Sequence, residues 1–547
     1  MPKAISRRWR NVHWFVVFML FSLLTAPGSA ADPVLAQEGA AAQNFPDVPR
    51  IHVPFVPETS GNDPVRFAET AIFWFGQVNG NENYADTRIG YNNDLLYIYT
   101  AAFDRQMWYN PAAADRDTLT DWDAVTFYLT TGDNATRYRI TAQVTHWQEG
   151  AAYQAAWQDD GSGWAPSNLD YSVQRAWRGD LPNDNSADER GWAISAQIPF
   201  AALGLSGPPA ADATWRFGVT VHDRDGAAGP VRAPKIWPRQ FAAEDVDTWG
   251  ELVFAPAIYN PPTVNNPQSI TIADKLQGAS APDAAVGGGA ICGDGLDFWD
   301  EWGDTNYAGR ADFNIQNQSD IADWPCYSKY YVTFPLDQLP PAQGIVSATL
   351  TLHLFGNAGG GDWGDPIPSL IQVGIADQAW DEGTITWNNA PYLLENVSAT
   401  WVSRVTEPPA WPGIPYRWDV THAVADAYAR GIPLRLVLYS ADSQYHSGKY
   451  FVSADTGDWN AAGRPALTVT YGDVDASATP TATFTPSSTP AATSTPTATS
   501  TSQATPTSPA STPTATATAT LTPQATGTPT GPQLDHHIYL PELVLDQ

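Results

Sequence analysis

Polar and apolar residues alternate with period two through two long stretches of the chain. In the first, Tyr138, Ile140, Ala142 and Val144 alternate with Arg137, Arg139, Thr141 and Gln143. Trp192, Ile194, Ala196 and Ile198 do the same, as do Trp215, Phe217, Val219 and Val221. In the second, Leu350, Leu352 and Leu354, then Leu434, Leu436 and Leu438, then Leu467, Val469 and Tyr471 repeat the pattern. A strand with one buried face gives this alternation, and many such strands between Gly, Asp, Asn and Pro turns form antiparallel sandwiches. One helix is expected at Thr421–Arg430, with Thr421 as its cap and Gly431 just past its end. Its Val424, Ala427 and Tyr428 would face the sandwich. The expected fold is all-β: two antiparallel, jelly-roll-like β-sandwiches in tandem, over residues 50–255 and 268–473. A Pro-rich joint at 256–267 separates them. A length of 547 residues agrees, being more than one core usually serves.

The two ends have a different character. Residues 1–30 combine a basic start, the apolar run Trp14–Leu24 and the small-residue exit Gly28-Ser29-Ala30-Ala31. That run is too short to span a bilayer and suits a secretory signal peptide, so export is expected. Residues 31–49 form a linker. From 474 to 533 the chain is Thr, Pro, Ala and Ser with almost nothing apolar, which predicts a disordered stalk. The tail, 534–547, contains His536-His537-Ile538-Tyr539-Leu540-Pro541 and is a candidate for attachment to a cell surface.

Charge narrows the partners. The chain has 58 acidic against 28 basic side chains, a net charge of −30, which opposes nucleic acid and anionic membranes. Removing Lys3, Arg7, Arg8 and Arg10 with the signal makes the balance more acidic still. No stretch after the signal is long and apolar enough to predict a membrane span. With 23 Trp and 12% aromatic residues overall, the body of the chain is globular. In an exported protein, the two cysteines, Cys292 and Cys326, are expected to pair. Closing that loop of roughly 35 residues contributes about 3–4 kcal/mol in the chain-entropy account.

Both stretches resemble known families. Arg88-Ile89-Gly90-Tyr91-Asn92-Asn93-Asp94-Leu95-Leu96-Tyr97-Ile98-Tyr99, Asp104, Asp123–Leu129, Gly191–Phe200, Phe217–Asp223 and Trp249-Gly250-Glu251-Leu252-Val253-Phe254 resemble, in order, a family 9-like carbohydrate-binding module. That resemblance implies a sandwich braced by calcium, with two tryptophans enclosing a sugar. Here Trp122 is displaced from the first of those positions, and Trp237 lies near the second. The second stretch is similar to a DNRLRE-type, family 96-like carbohydrate-binding domain. The similarity rests on Thr305–Gly309, Ile345–Leu352, Trp380–Pro391, Trp418–Thr421, Phe451–Ser453 and Arg464–Leu467.

Sugar binding needs an aromatic face bordered by groups that bond hydroxyls. The candidates are Trp108, Tyr109, Trp147, Trp177, Trp237, Trp363 and Trp459. Carboxylates at Asp104 and Asp123, and at Asp297, Asp300 and Asp304, are candidate ligands for structural Ca2+. No organic cofactor is expected, and no catalytic motif for acyl, metal-assisted or phosphoryl chemistry is present. His446 and Tyr445 are candidate base and acid for a lyase, outside any motif. The expected function is a secreted, non-catalytic polysaccharide-binding protein with two glycan-binding sandwiches. The alternatives are a polysaccharide lyase or glycoside hydrolase (catalytic or accessory) and a structural cell-surface or biofilm-matrix protein.

Overall fold

A computed structural model describes residues 48–474, apart from 58–64, 111–115, 133, 146–152, 180, 289–294, 318–326, 360–364 and 443–446. The segments expected to be signal, stalk and tail, together with both cysteines, Trp147, Trp363, Tyr445 and His446, lie outside the described residues. No helix among the described residues is long and apolar enough to cross a membrane.

Each half is a β-sandwich. In the amino-terminal half, a five-stranded antiparallel sheet runs in the order Ala71–Asn79, Glu82–Tyr91, Leu95–Phe103, Gly191–Pro199, Ser172–Arg178. The facing layer contains Gly250–Val253, Thr214–His222, Ala124–Thr130, Arg137–Gln143 and Gln154–Asp159 in sequence of pairing. The period-two runs behave as the pleat dictates: Ile140, Trp192, Ile194, Ile198, Phe217 and Val219 are fully buried. In the carboxy-terminal half, one sheet orders Val264–Ala273, Ala466–Val474, Gln343–Asn357, Lys449–Val452 and Asp312–Ile315. Ile414–Asp419 pairs with Gln343–Asn357 at its side. The opposing layer orders Asp283–Val286, Lys329–Phe334, Leu434–Ser440, Ser369–Ala376 and Leu393–Val402. Leu350, Leu352, Leu354, Leu436, Leu438, Leu467 and Val469 fill the space between.

The helix occupies Thr421–Arg430, and Gly431 ends it in the left-handed conformation at φ 66°. Thr421 is its first residue and not its cap. The carboxylate of Asp419 instead accepts from the Thr421 backbone N–H at 2.9 Å, close to the role expected of Thr421. Val424 and Ala427 are buried as the spacing predicts.

The two halves are not separated by a free joint. The strand Arg50–His52 pairs in parallel with Gly250–Val253 and, at Arg50, with Glu395 of the other half. This makes the two facing layers one continuous sheet. A single apolar cluster also runs through both halves. Across it, Trp74 meets Tyr439, Tyr84 meets Trp387, and Phe103 meets both Phe298 and Tyr327. Asn388 bonds both the N–H and the C=O of Val78, at 2.7 and 3.0 Å, and Tyr392 Oη accepts from Gly76 N at 2.9 Å. The strand Glu82–Tyr91 is therefore covered on both faces. Its outward residues Asp86 and Arg88, which alternation alone would send to water, are buried against each other, with Asn317 reaching Asp86. Lys329, also buried, lies over the rings of Trp387, Trp74, Tyr84 and Tyr439, at 3.5 Å from the first.

Candidate functional site

Two arrangements carry chemistry related to the expected function. The first is at one end of the amino-terminal sandwich. Thr214–His222 and Ala124–Thr130 are antiparallel neighbours with His222 opposite Ala124, so the end of one meets the start of the other. This brings Asp223 beside Asp123. Asp104, at the end of Leu95–Phe103 in the facing sheet, completes the group, with one oxygen from each within 4.8 Å of the others. All three residues are buried.

The hydrogen bonds leave the charge unanswered. Asp104 accepts from Gln106 N at 3.0 Å and Trp192 Nε1 at 2.9 Å. Asp123 accepts from Trp108 N at 2.5 Å and Arg224 N at 2.7 Å. Both carboxylate oxygens of Asp223 have no hydrogen-bond partner, and neither does the buried Gln106 Oε1. Burial pushes Asp104 up to about 7. Burial, together with the charges of Asp104 and Asp225, pushes Asp223 up to about 9. Asp123 is raised well above the carboxylate range by burial and by the charges of Asp104 and Asp223. Three such groups cannot all ionise next to one another without a cation. An oxygen-only donor set suits a hard cation.

Asp223 was absent from the sequence-derived ligands, although it ends a quoted strand motif. The converse holds for Asp297, Asp300 and Asp304, which do not converge as ligands. Asp297 Oδ1 accepts from Trp299 N and Asp300 N in a turn, both at 2.9 Å, and Asp304 accepts from Asn388 Nδ2 at 2.9 Å. A local turn accounts for the Asp297 carboxylate and a contact with Asn388 for that of Asp304. A further carboxylate group joins the buried Asp283 to the half-buried Glu382 and Asp455, and Asp283 accepts from Tyr330 Oη at 2.6 Å and Ala454 N at 2.7 Å.

The second arrangement is aromatic. Leu350, Leu352 and Leu354 point inward, so Thr351, His353 and Phe355 of the same strand face outward. Thr351 is paired with Arg417, and His353 with Pro415, on the neighbouring strand. Phe355 lies 6.3 Å from Tyr450 and 5.7 Å from Trp411, and Trp411 meets Trp459 edge to face at 5.1 Å. Trp411 is 54% exposed and Trp459 70%. Trp411 is carried by the turn Pro408-Pro409-Ala410-Trp411-Pro412-Gly413. Gly413 has φ 108° and packs so close that a Cβ there would lie 2.8 Å from Leu354 O. Trp459 projects from the 3-10 helix Asp458–Gly463, which Gly457 precedes, while Asp458 accepts from Arg464 at 2.7 Å.

Of the other sequence candidates, Trp237 is fully buried and stacked on Phe73 at 4.0 Å. Its expected role as a sugar platform is corrected, since neither ring face can reach solvent. Trp108 is half-buried, its Nε1 donating to Asn185 Oδ1 at 2.6 Å, and Tyr109 meets Tyr153 edge-on at 5.9 Å. Trp177 lies half-buried on the edge strand Ser172–Arg178, opposite Trp192. Trp459 belongs to the aromatic row of the other half. Trp411, Phe355 and Tyr450 escaped sequence reasoning. The available signal was a tryptophan enclosed by prolines outside any alternating run.

Residues 300–471 match carbohydrate-binding module family 96. The aromatic row lies within that segment. Among solved structures, a putative carbohydrate-binding protein from Bacteroides uniformis is 11% identical, covering 38% of this chain and 99% of its own, with a TM-score of 0.29. A family 9 carbohydrate-binding module from Caldicellulosiruptor kristjanssonii in complex with cellotriose is 12% identical, covering 37% and 92%, with a TM-score of 0.25. No curated protein matches the sequence.

Proposed function

We propose that the protein binds polysaccharide without cleaving it, and that Trp411 and Trp459 form the sugar platform of the family 96-like segment. The observation that carries this reading is two largely exposed tryptophans, backed by Phe355 and Tyr450, on a sheet that matches a carbohydrate-binding family. An indole covers the C–H face of a pyranose, while Arg417, Thr351 and His353 offer polar groups on the adjoining surface. In the same reading Asp104, Asp123 and Asp223 hold a structural Ca2+. The protein is exported with Cys292 and Cys326 bridged, and the tail attaches it to a surface.

Replacing Trp459 or Trp411 by alanine is expected to weaken polysaccharide binding at least about tenfold for each ring lost, equivalent to about 1.4 kcal/mol. Neither substitution should change thermal unfolding much, because both rings are largely outside the core. Affinity electrophoresis against a panel of plant, algal and microbial polysaccharides measures this. Retention unchanged in the double variant W411A/W459A would exclude the platform. Release of reducing or unsaturated ends from any member of the panel would favour an enzyme instead.

A further inference from the structure

Three segments distant in sequence meet beside the seam between the halves: Arg50–His52, Leu393–Val402 and the helix Thr421–Arg430. Glu395 is fully buried there. His422 and Asp426, one turn apart, share the helix face that approaches it. His422 Nε2 lies 3.3 Å from Glu395 Oε2 and 3.5 Å from Asp426 Oδ2. The three ligand atoms are all within 4.8 Å of one another. Asp426 is only 4% exposed, and its Oδ2 has no hydrogen-bond partner.

These spacings are informative. A charge-assisted N–H···O bond is about 2.7–2.9 Å long. Ligand atoms about 2.0–2.1 Å from a tetrahedral zinc ion stand about 3.3–3.4 Å from each other. His422 Nε2 makes a long hydrogen bond to Glu395 Oε2 at 3.3 Å and stands 3.5 Å from Asp426 Oδ2, both longer than a charge-assisted bond and close to the ligand–ligand spacing around a tetrahedral zinc ion. The outer partners are in place as well. His52 Nδ1 is 2.7 Å from the carbonyl of Ala255, which can only accept, so Nδ1 carries a proton. Its Nε2 lies 2.8 Å from Glu395 Oε1, the oxygen not facing His422, and Arg50 Nη1 is 3.8 Å from that same oxygen. Glu395 is thus held on one side and presents Oε2 on the other, the support that metal-binding carboxylates require.

We propose that Glu395, His422 and Asp426 bind one zinc ion, fastening the helix to the strand Leu393–Val402 at the seam, with His52 and Arg50 orienting Glu395. Two carboxylates balance the ion's charge, the imidazole favours zinc over calcium, and water takes the fourth position. This site is separate from the oxygen-only group at Asp104, Asp123 and Asp223.

The test uses the untagged full chain, stripped with EDTA and titrated with zinc chloride in competition with a chromogenic chelator. Because the adjacent imidazoles of His536 and His537 could take up metal independently, every sample carries H536A and H537A. One zinc per chain is expected, together with a rise in melting temperature. D426N, nearly isosteric, and H422Q are expected to lose at least tenfold in zinc affinity and to lose the thermal shift. D223N should keep both. Circular dichroism of the stripped variants confirms that each is folded before titration. No zinc uptake by the parent would overturn the site, as would uptake unchanged in D426N and H422Q.

Discussion

Neither half of the protein is expected to fold alone when the chain is cut in the segment 254–263. Among the described residues, aromatic pairs that cross the seam use Trp74, Tyr84 and Phe103 from one side and Phe298, Tyr327, Trp387 and Tyr439 from the other. Burying a large apolar side chain contributes about 1.5–3 kcal/mol. If about half of that burial is owed to the opposite side, the seam contributes on the order of 5–10 kcal/mol, comparable to the whole stability of an ordinary domain. Hydration of Asp86, Arg88 and Lys329 in the separated halves returns part of this, since each is buried in contact with groups of the opposite half. The edge Arg50–His52 would also lose its pairing with the strand at Glu395. Calorimetry of residues 48–474 should therefore show one transition. The pieces 48–258 and 262–474 should bind a hydrophobic dye and melt without a sharp transition, and should recover a folded complex when mixed. Two pieces that each melt near the temperature of the intact protein would show that the seam adds little.

The alternation made the strands and both sandwiches legible, because a buried face imposes period two on the residues that fill it. Leu350, Leu352 and Leu354 are inside, as read. Alternation does not reveal what covers the other face. In the strand Glu82–Tyr91, alternation alone would send Asp86 and Arg88 to water, yet the second half covers them and they pair with each other. Trp237 shows the opposite difficulty: its place near a family position suggested a ligand platform, but stacking on Phe73 makes it core. The carboxylate group was half legible. Asp104 and Asp123 were found as acids at strand ends, while Asp223 required knowing that two strands far apart in sequence lie antiparallel. The His422–Asp426 pair has helical spacing, but its partner Glu395 is set by sheet order, which no local pattern encodes.

Calcium is expected to raise the melting temperature much more at pH 8 than at pH 5. The reason is the sign of the shifts at Asp104 and Asp223, pushed up by burial to about 7 and about 9. In the unfolded chain these groups lose their protons near pH 3.9. Between that pH and the folded values the native state binds more protons than the unfolded state, so stability falls as pH rises, by about 1.4 kcal/mol per pH unit for each proton retained. The fall begins as pH rises through the ordinary carboxylate value and ends once the folded groups have ionised, above about 7 for Asp104 and about 9 for Asp223. A cation at the three carboxylates replaces those protons and removes the penalty, so its benefit grows with pH over the same window. At a concentration 100 times the dissociation constant, the linkage contributes about 2.7 kcal/mol. Asp223→Asn separates the two effects. It removes a buried carboxylate with no hydrogen-bond partner, so the calcium-free variant should be more stable than the parent at pH 8. It also removes a ligand, so its calcium response should largely disappear. The measurement is thermal unfolding in EGTA and in calcium at the two pH values, for parent and variant. An equal calcium shift at pH 5 and pH 8, or a D223N protein that keeps the full shift, would show that these carboxylates are not the calcium site.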